Sequence, residues 1–203
     1  MGQEIHCQAR VGKTIAEGKA LLESTELIFR SSDLRLKIPF RQMTSIEAAN
    51  GWLHVKSSEG SAAFHLGPQA AKWADKIKNP KSLIDKLGVK AGLRASVLGI
   101  RDASFLRDLK GRTSDVTEGK PAKDSDLIFF GAEQNDALER LPELSRSLKP
   151  NGALWIVYPK GQKDITEASV FAAGKRAGLV DVKVASFSAT HTALKFVIPV
   201  KDR

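Results

Sequence analysis

Three short apolar runs, residues 93–98, 126–130 and 155–158, constrain the second half of the chain more than any other feature. Between them, apolar residues return every three or four positions: Phe105 and Leu109, then Leu138, Leu141, Leu144 and Leu148, and later a segment over 169–177 that stops at Gly178. An apolar run of four to six residues without alternation suits a strand buried on both faces. Strand, helix and strand in succession make a parallel sheet covered by helices. The spacing predicts a single helix over 137–148. Two closing strands, 182–187 and 192–198, follow, joined by Ser188-Ala-Thr-His191. The fold class read here is an α/β Rossmann-like domain over residues 80–203.

The first half carries a different period. Between residues 5 and 67 short runs are broken by turns, and Leu34, Leu36 and Ile38 alternate with Arg35 and Lys37. That is the pattern of a half-buried antiparallel sheet. Asn50-Gly51 suits a tight hairpin because both residues accept positive φ. After Pro68, the spacing of Ala70, Trp73, Ala74 and Ile77 predicts an amphipathic helix that ends at Asn79-Pro80. The chain therefore divides into residues 1–79, a small α+β barrel with a C-terminal helix, and residues 80–203.

Composition limits the partners. With 42% hydrophobic and 27% charged residues the chain can bury a core, and no apolar run approaches the ~20 residues of a membrane-spanning helix. The N-terminus lacks the basic and apolar segments of a secretory signal, so the expected location is the cytoplasm. A formal net charge of +9 favours anionic partners, nucleic acid among them. The excess is spread over both halves, with 11 basic against 8 acidic residues up to Asn79 and 21 against 15 beyond it. Cys7 is the only cysteine, and the four histidines lack metal-ligand spacing, so neither a disulfide nor a metal site is expected. Gly12-Lys13-Thr14 matches the end of a phosphate loop, but the first glycine of that motif would fall on Cys7.

Two resemblances add to this reading. The stretches 93–100 and 148–160 resemble the framework of class I methyltransferases, including Leu148-Lys-Pro-Asn-Gly-Ala-Leu154 as the turn before their fifth strand. Residues 80–203 also resemble a bacterial domain family of unknown function with a methyltransferase-like fold, through Lys86-Leu-Gly-Val-Lys90, Gly152 to Lys160 and Gly178-Leu-Val-Asp-Val-Lys183. The resemblance implies S-adenosylmethionine held at a glycine-rich turn, with Asp115 or Glu118 as the acidic residue ending the second strand. That turn here reads Gly99-Ile-Arg-Asp-Ala-Ser104, with one glycine followed by bulky residues. Residues 111–126 are too few for the usual second and third strands and their helix. The first 79 residues are similar to pleckstrin-homology-like or GRAM-like barrels, which implies protein contacts or, through Arg10, Lys13 and Lys19, a phosphoinositide site.

Ligands of open α/β sheets lie at the carboxyl ends of the strands, so Gly99, Arg101, Asp102, Gly131, Tyr158 and Lys160 are the expected cofactor-binding residues. Arg101 and Lys160 would make that cleft basic. Each has a plainer role available: Asp102 as a helix cap, Tyr158 as a buried ring, Lys160 as a solvated strand end. No catalytic residue is assigned. The expected function is a non-catalytic binding or regulatory protein with a protein partner, whose degenerate methyltransferase-like domain accepts an anionic small ligand. The alternatives are a divergent S-adenosylmethionine-dependent methyltransferase and a basic nucleic-acid-binding protein.

Overall fold

The computed structural model describes residues 2–203. It contains two compact units, one ending at Lys81 and the other running Ser82–Arg203. Among the described residues no helix is long and apolar enough to cross a membrane.

In the first unit, seven strands form one curled antiparallel sheet. They are β1 (Gln3–Val11), β2 (Thr14–Leu22), β3 (Glu26–Arg30), β4 (Arg35–Pro39), β5 (Met43–Ala49), β6 (Trp52–Ser57) and β7 (Gly60–His65), in the order β4-β3-β2-β1-β7-β6-β5. Ala49 pairs with Trp52 across a two-residue turn in which Asn50 and Gly51 both have positive φ, 50° and 79°. These are the values a tight hairpin turn needs to match strand twist. Gly12 and Lys13 form the tip of the β1–β2 hairpin, which disposes of the phosphate-loop match. Helix α1 (Gln69–Lys78) buries Ala70, Trp73, Ala74 and Ile77 into the same core as Phe29, Leu53 and Phe64. Cys7 lies in that core, and burial pushes its thiol up to about 11, so it is an unreactive filler.

The second unit is a mixed sheet of β8 (Ala95–Leu98), β9 (Val116–Glu118), β10 (Ser125–Gly131), β11 (Leu148–Pro159), β12 (Val180–Ser186) and β13 (His191–Val197), in the order β12-β13-β11-β10-β8-β9. The four strands from β9 to β11 are parallel, and β13 is antiparallel to both its neighbours. Consecutive residues of β10 feed opposite cores. Leu127 and Phe129 pack with α2 (Leu83–Lys86) and α3 (Ala103–Arg112), while Ile128 and Phe130 pack with α4 (Leu141–Arg146) and α5 (Glu167–Arg176). A sheet covered on both faces explains why these strands read as unbroken apolar runs.

Two expectations need correction here. The single helix over 137–148 is instead a 3-10 segment, Asn135–Arg140, followed by α4, because Pro142 has no amide to continue the α ladder. Leu148 then opens β11 rather than closing a helix, so the Lys149-Pro-Asn-Gly stretch lies inside the strand. The shortened half of the sheet keeps one strand, β9, of only three residues, with six residues leading from it to β10. A buried serine pair holds this connection. Ser96 Oγ and Ser125 Oγ lie 2.9 Å apart, Ser96 Oγ accepts from Ala122 N at 2.9 Å, and Ser125 Oγ donates to Ala122 O at 2.7 Å.

The edge strand β12 exposes Val180, Val182 and Val184, and its register to β13 slips by one residue between Asp181 and Lys183. Such a bulge spoils the edge as a template for another strand.

The two buried tryptophans differ in a way that can be measured. Trp155 Nε1 donates to Leu87 O at 3.0 Å, whereas Trp73 Nε1 is buried with no partner. Trp155→Phe leaves a buried carbonyl unpaired. It should cost about 1–2 kcal/mol more than Trp73→Phe in urea unfolding. Equal losses would mean that the Trp155 hydrogen bond contributes nothing net.

Candidate functional site

The backbones of β8 and β10 converge where the two strands end. One step beyond the Leu98–Phe130 pair stand Gly99 and Gly131, packed so closely that a Cβ on Gly131 would lie 2.5 Å from Gly99 O, and one on Gly99 would lie 2.7 Å from Gly131 O. Gly99 also has φ +70°, a conformation side chains resist. A cavity of about 740 Å³ opens there, within the range of small-molecule sites.

Ile100, Val157 and Phe187 supply apolar wall, and Arg101, Asp102, Glu133, Ser188, Thr190 and His191 supply polar groups. Asp102 is the N-cap of α3: its Oδ1 accepts from Ser104 Oγ at 2.6 Å and from Phe105 N at 3.0 Å. Those hydrogen bonds, the Ser104 hydroxyl first, hold its carboxyl below the usual aspartate value, and the nearby His191 adds to the effect. Asp102 thus stands in both of the places expected for it, as the cap of α3 and on the cavity lining.

His191 opens β13 and faces two partners, Thr190 Oγ1 at 2.9 Å from Nδ1 and Glu133 Oε1 at 3.3 Å from Nε2. Both contacts are hydrogen bonds when Nε2 carries the proton, so that Nε2–H donates to the carboxylate and Nδ1 accepts from the hydroxyl. The turn that carries His191 is tightly tied. Ser188 Oγ accepts from His191 N at 3.0 Å and from Thr190 N at 3.2 Å.

Four of the six residues expected from the sequence, Gly99, Arg101, Asp102 and Gly131, line this cavity. Tyr158 and Lys160 do not; they border a smaller depression beside Gly161 and Thr166. Tyr158 is 4% exposed, with its hydroxyl 3.2 Å from Glu167 Oε2, and burial holds it protonated well above the ordinary phenol range. Lys160 works from behind the cavity wall. Its Nζ donates to Ser188 O at 2.7 Å, Ser186 Oγ at 3.0 Å and Ala189 O at 3.4 Å. Lys160 is spent on the turn, and Glu133 takes a place on the cavity lining. Glu133 was missed because it follows its strand by two residues, in a loop without a motif. Ser188, Thr190 and His191 are legible as a polar turn, but not as a wall of the same cavity.

The two acidic candidates for a ribose contact are both engaged in ion pairs. Asp115 Oδ2 is 2.9 Å from Arg94 Nε, and Glu118 Oε1 is 2.6 Å from Lys110 Nζ. Neither lines the cavity. Among the described residues no cluster of three potential metal ligands occurs.

Lys160→Met keeps the stem and removes the three donated hydrogen bonds. Amide hydrogen exchange over 187–191 should accelerate about tenfold or more, while global stability falls by only about 1 kcal/mol because the group is exposed. Unchanged exchange would show that the serine ties suffice alone.

No protein-family model matches the chain, and no curated protein matches it. Solved structures do. A SAM-dependent methyltransferase from Aquifex aeolicus is 16% identical, over 61% of this chain and 93% of that one, with a TM-score of 0.47. A SAM-dependent methyltransferase from Corynebacterium glutamicum is 15% identical over 64% and 96%, with a TM-score of 0.42. The C-terminal domain of an unknown protein from Leishmania infantum is 13% identical over 38% and 80%, with a TM-score of 0.34. All three likenesses are distant, and the chemistry of the cleft has to be read from its own residues.

Proposed function

We propose that the chain is a non-catalytic binding protein whose second domain holds a small organic molecule in the cleft at the ends of β8, β10 and β11. The observation that carries this reading is the cleft itself: paired glycines open it, apolar side chains line it, and a tied turn closes its far side. Against a resident nucleoside cofactor stands the turn after Gly99. Ile100, Arg101 and Asp102 stand where that turn would carry further glycines, and the Asp102 carboxylate accepts from the Phe105 amide in the first turn of α3. Backbone amides at such a helix start are what an anionic or nucleotide ligand would otherwise use.

For the first domain, over residues 1–79, we propose a pleckstrin-homology-like module for protein contacts. The support is its seven antiparallel strands followed by one amphipathic helix.

Calorimetric titration with S-adenosylmethionine and S-adenosylhomocysteine tests the central claim. No saturable heat is expected below about 1 mM ligand. Micromolar binding would overturn the reading in favour of a divergent methyltransferase. One observation favours that second reading: His191 lines the cleft with Nε2 on Glu133, and its Nδ1 could take a proton through the Thr190 hydroxyl bonded to it.

A further inference from the structure

The ligand's charge can be read from the groups the cleft presents. The protein carries a formal net charge of +9, yet the charged side chains lining the cleft are one cation, Arg101, against two carboxylates, Asp102 and Glu133. Lys160, the other cation nearby, points its ammonium into three acceptors of the 186–189 turn and is unavailable to a ligand. The start of α3, where an anion would gain most, is already occupied by the carboxylate of Asp102.

Each carboxylate also keeps one oxygen without a partner among the described residues, Asp102 Oδ2 and Glu133 Oε2. Glu133 uses only Oε1, toward His191. Asp102 is an acceptor throughout, and the hydroxyls of Ser188 and Thr190 can accept as well as donate. The same lining includes apolar side chains, Ile100 and the buried Val157 and Phe187.

Resting on the small-molecule reading above, we propose that this cleft selects an organic amine: a protonated ammonium group between Glu133 and Asp102, on an aromatic or aliphatic body seated against Phe187, Ile100 and Val157. The site replaces the anionic ligand suggested by the overall basic charge. An ammonium brings positive charge and N–H donors together, and the carboxylates require both. A carboxylate of the same size brings the like charge and no donor.

Three probes with a common phenyl body separate these cases: 2-phenylethylamine, 2-phenylethanol and 3-phenylpropanoate. Each is titrated into the 203-residue chain, and the amide signals of Gly99, Gly131 and Thr190 are followed by NMR. The amine is expected to bind about tenfold tighter than the carboxylate, with the alcohol between them, and Glu133→Gln or Asp102→Asn should remove most of that preference. Both variants keep the shape of the side chain, and asparagine still caps a helix, so folding is preserved. A carboxylate that binds as well as the amine overturns the inference while the small-molecule reading stands. So does an amine preference that both variants leave intact. If none of the three probes moves the cleft amides, the small-molecule reading fails and this inference fails with it.

Discussion

Replacing Gly174 with alanine should destabilise the second unit by about 2 kcal/mol, although alanine is the better helix former by about 1 kcal/mol. Gly174 lies on the buried face of α5, and a Cβ there would overlap the ring of Phe196 on β13. Phe196 is 1% exposed and packs among Tyr158, Val170 and Leu194, so the ring has nowhere to retreat. Interiors are packed to crystal density, and one inserted methyl displaces either the helix or the strand. Gly111 supplies the control. It also lies within a helix, α3, but nothing approaches within 4 Å of its missing Cβ. Gly111→Ala should therefore stabilise by about 0.5–1 kcal/mol through propensity alone. Urea unfolding followed by circular dichroism reads both variants. Changes of the same sign would refute the contrast.

That contrast also shows where the sequence is legible. Period two in Leu34, Leu36 and Ile38 and period 3.6 in Ala70, Trp73, Ala74 and Ile77 reflect one buried face each, and the structure places those residues against one core. Asn50-Gly51 is legible because its chemistry allows few other geometries. The break before α4 was there to be read as well: Pro142 lies inside the Leu138–Leu141–Leu144 stripe, and the stripe persists through it because a 3-10 turn keeps the leucines roughly on one side. Periodicity alone therefore merged two elements. Gly174 and Gly111 look identical in sequence, since what separates them is a ring 22 residues further along the chain.

The site was legible only so far as topology dictates it. Strand ends follow from the strands, and Gly99, Arg101, Asp102 and Gly131 follow from the strand ends. Tyr158 and Lys160 end a strand too, yet β11 runs antiparallel beside β13, whose turn folds over its end and captures the Lys160 ammonium. Sequence cannot show which cation a neighbouring turn will consume. Glu133 and His191 are 58 residues apart and meet only because β10 and β13 flank the same strand. The overall charge misleads for the same reason, since a cleft answers to its own few side chains.

The larger effect is expected at the mouth of the cleft. Gly131→Ala should cost about 3 kcal/mol, because its Cβ would meet backbone, Gly99 O at 2.5 Å and Gly99 C at 2.8 Å, rather than a side chain able to rotate. Relief requires β8 and β10 to part at their ends, where Leu98 and Phe130 are still paired. The loss should be local as well as global. Amides of Leu98 and Phe130 should exchange faster than those of Ala95 and Leu127 at the other end of the same ladder, and binding of 2-phenylethylamine should fall as the Asp102 and Glu133 loops shift. Gly99→Ala adds a positive φ to a contact only slightly longer, so it should cost at least as much. The double variant should lose less than the two single losses together, since one separation of the strands relieves both contacts. Strict additivity would show that the glycines are needed for separate reasons. A Gly131→Ala variant as stable as the parent would mean that the strand ends yield freely, and that their close approach does not set the shape of the cleft.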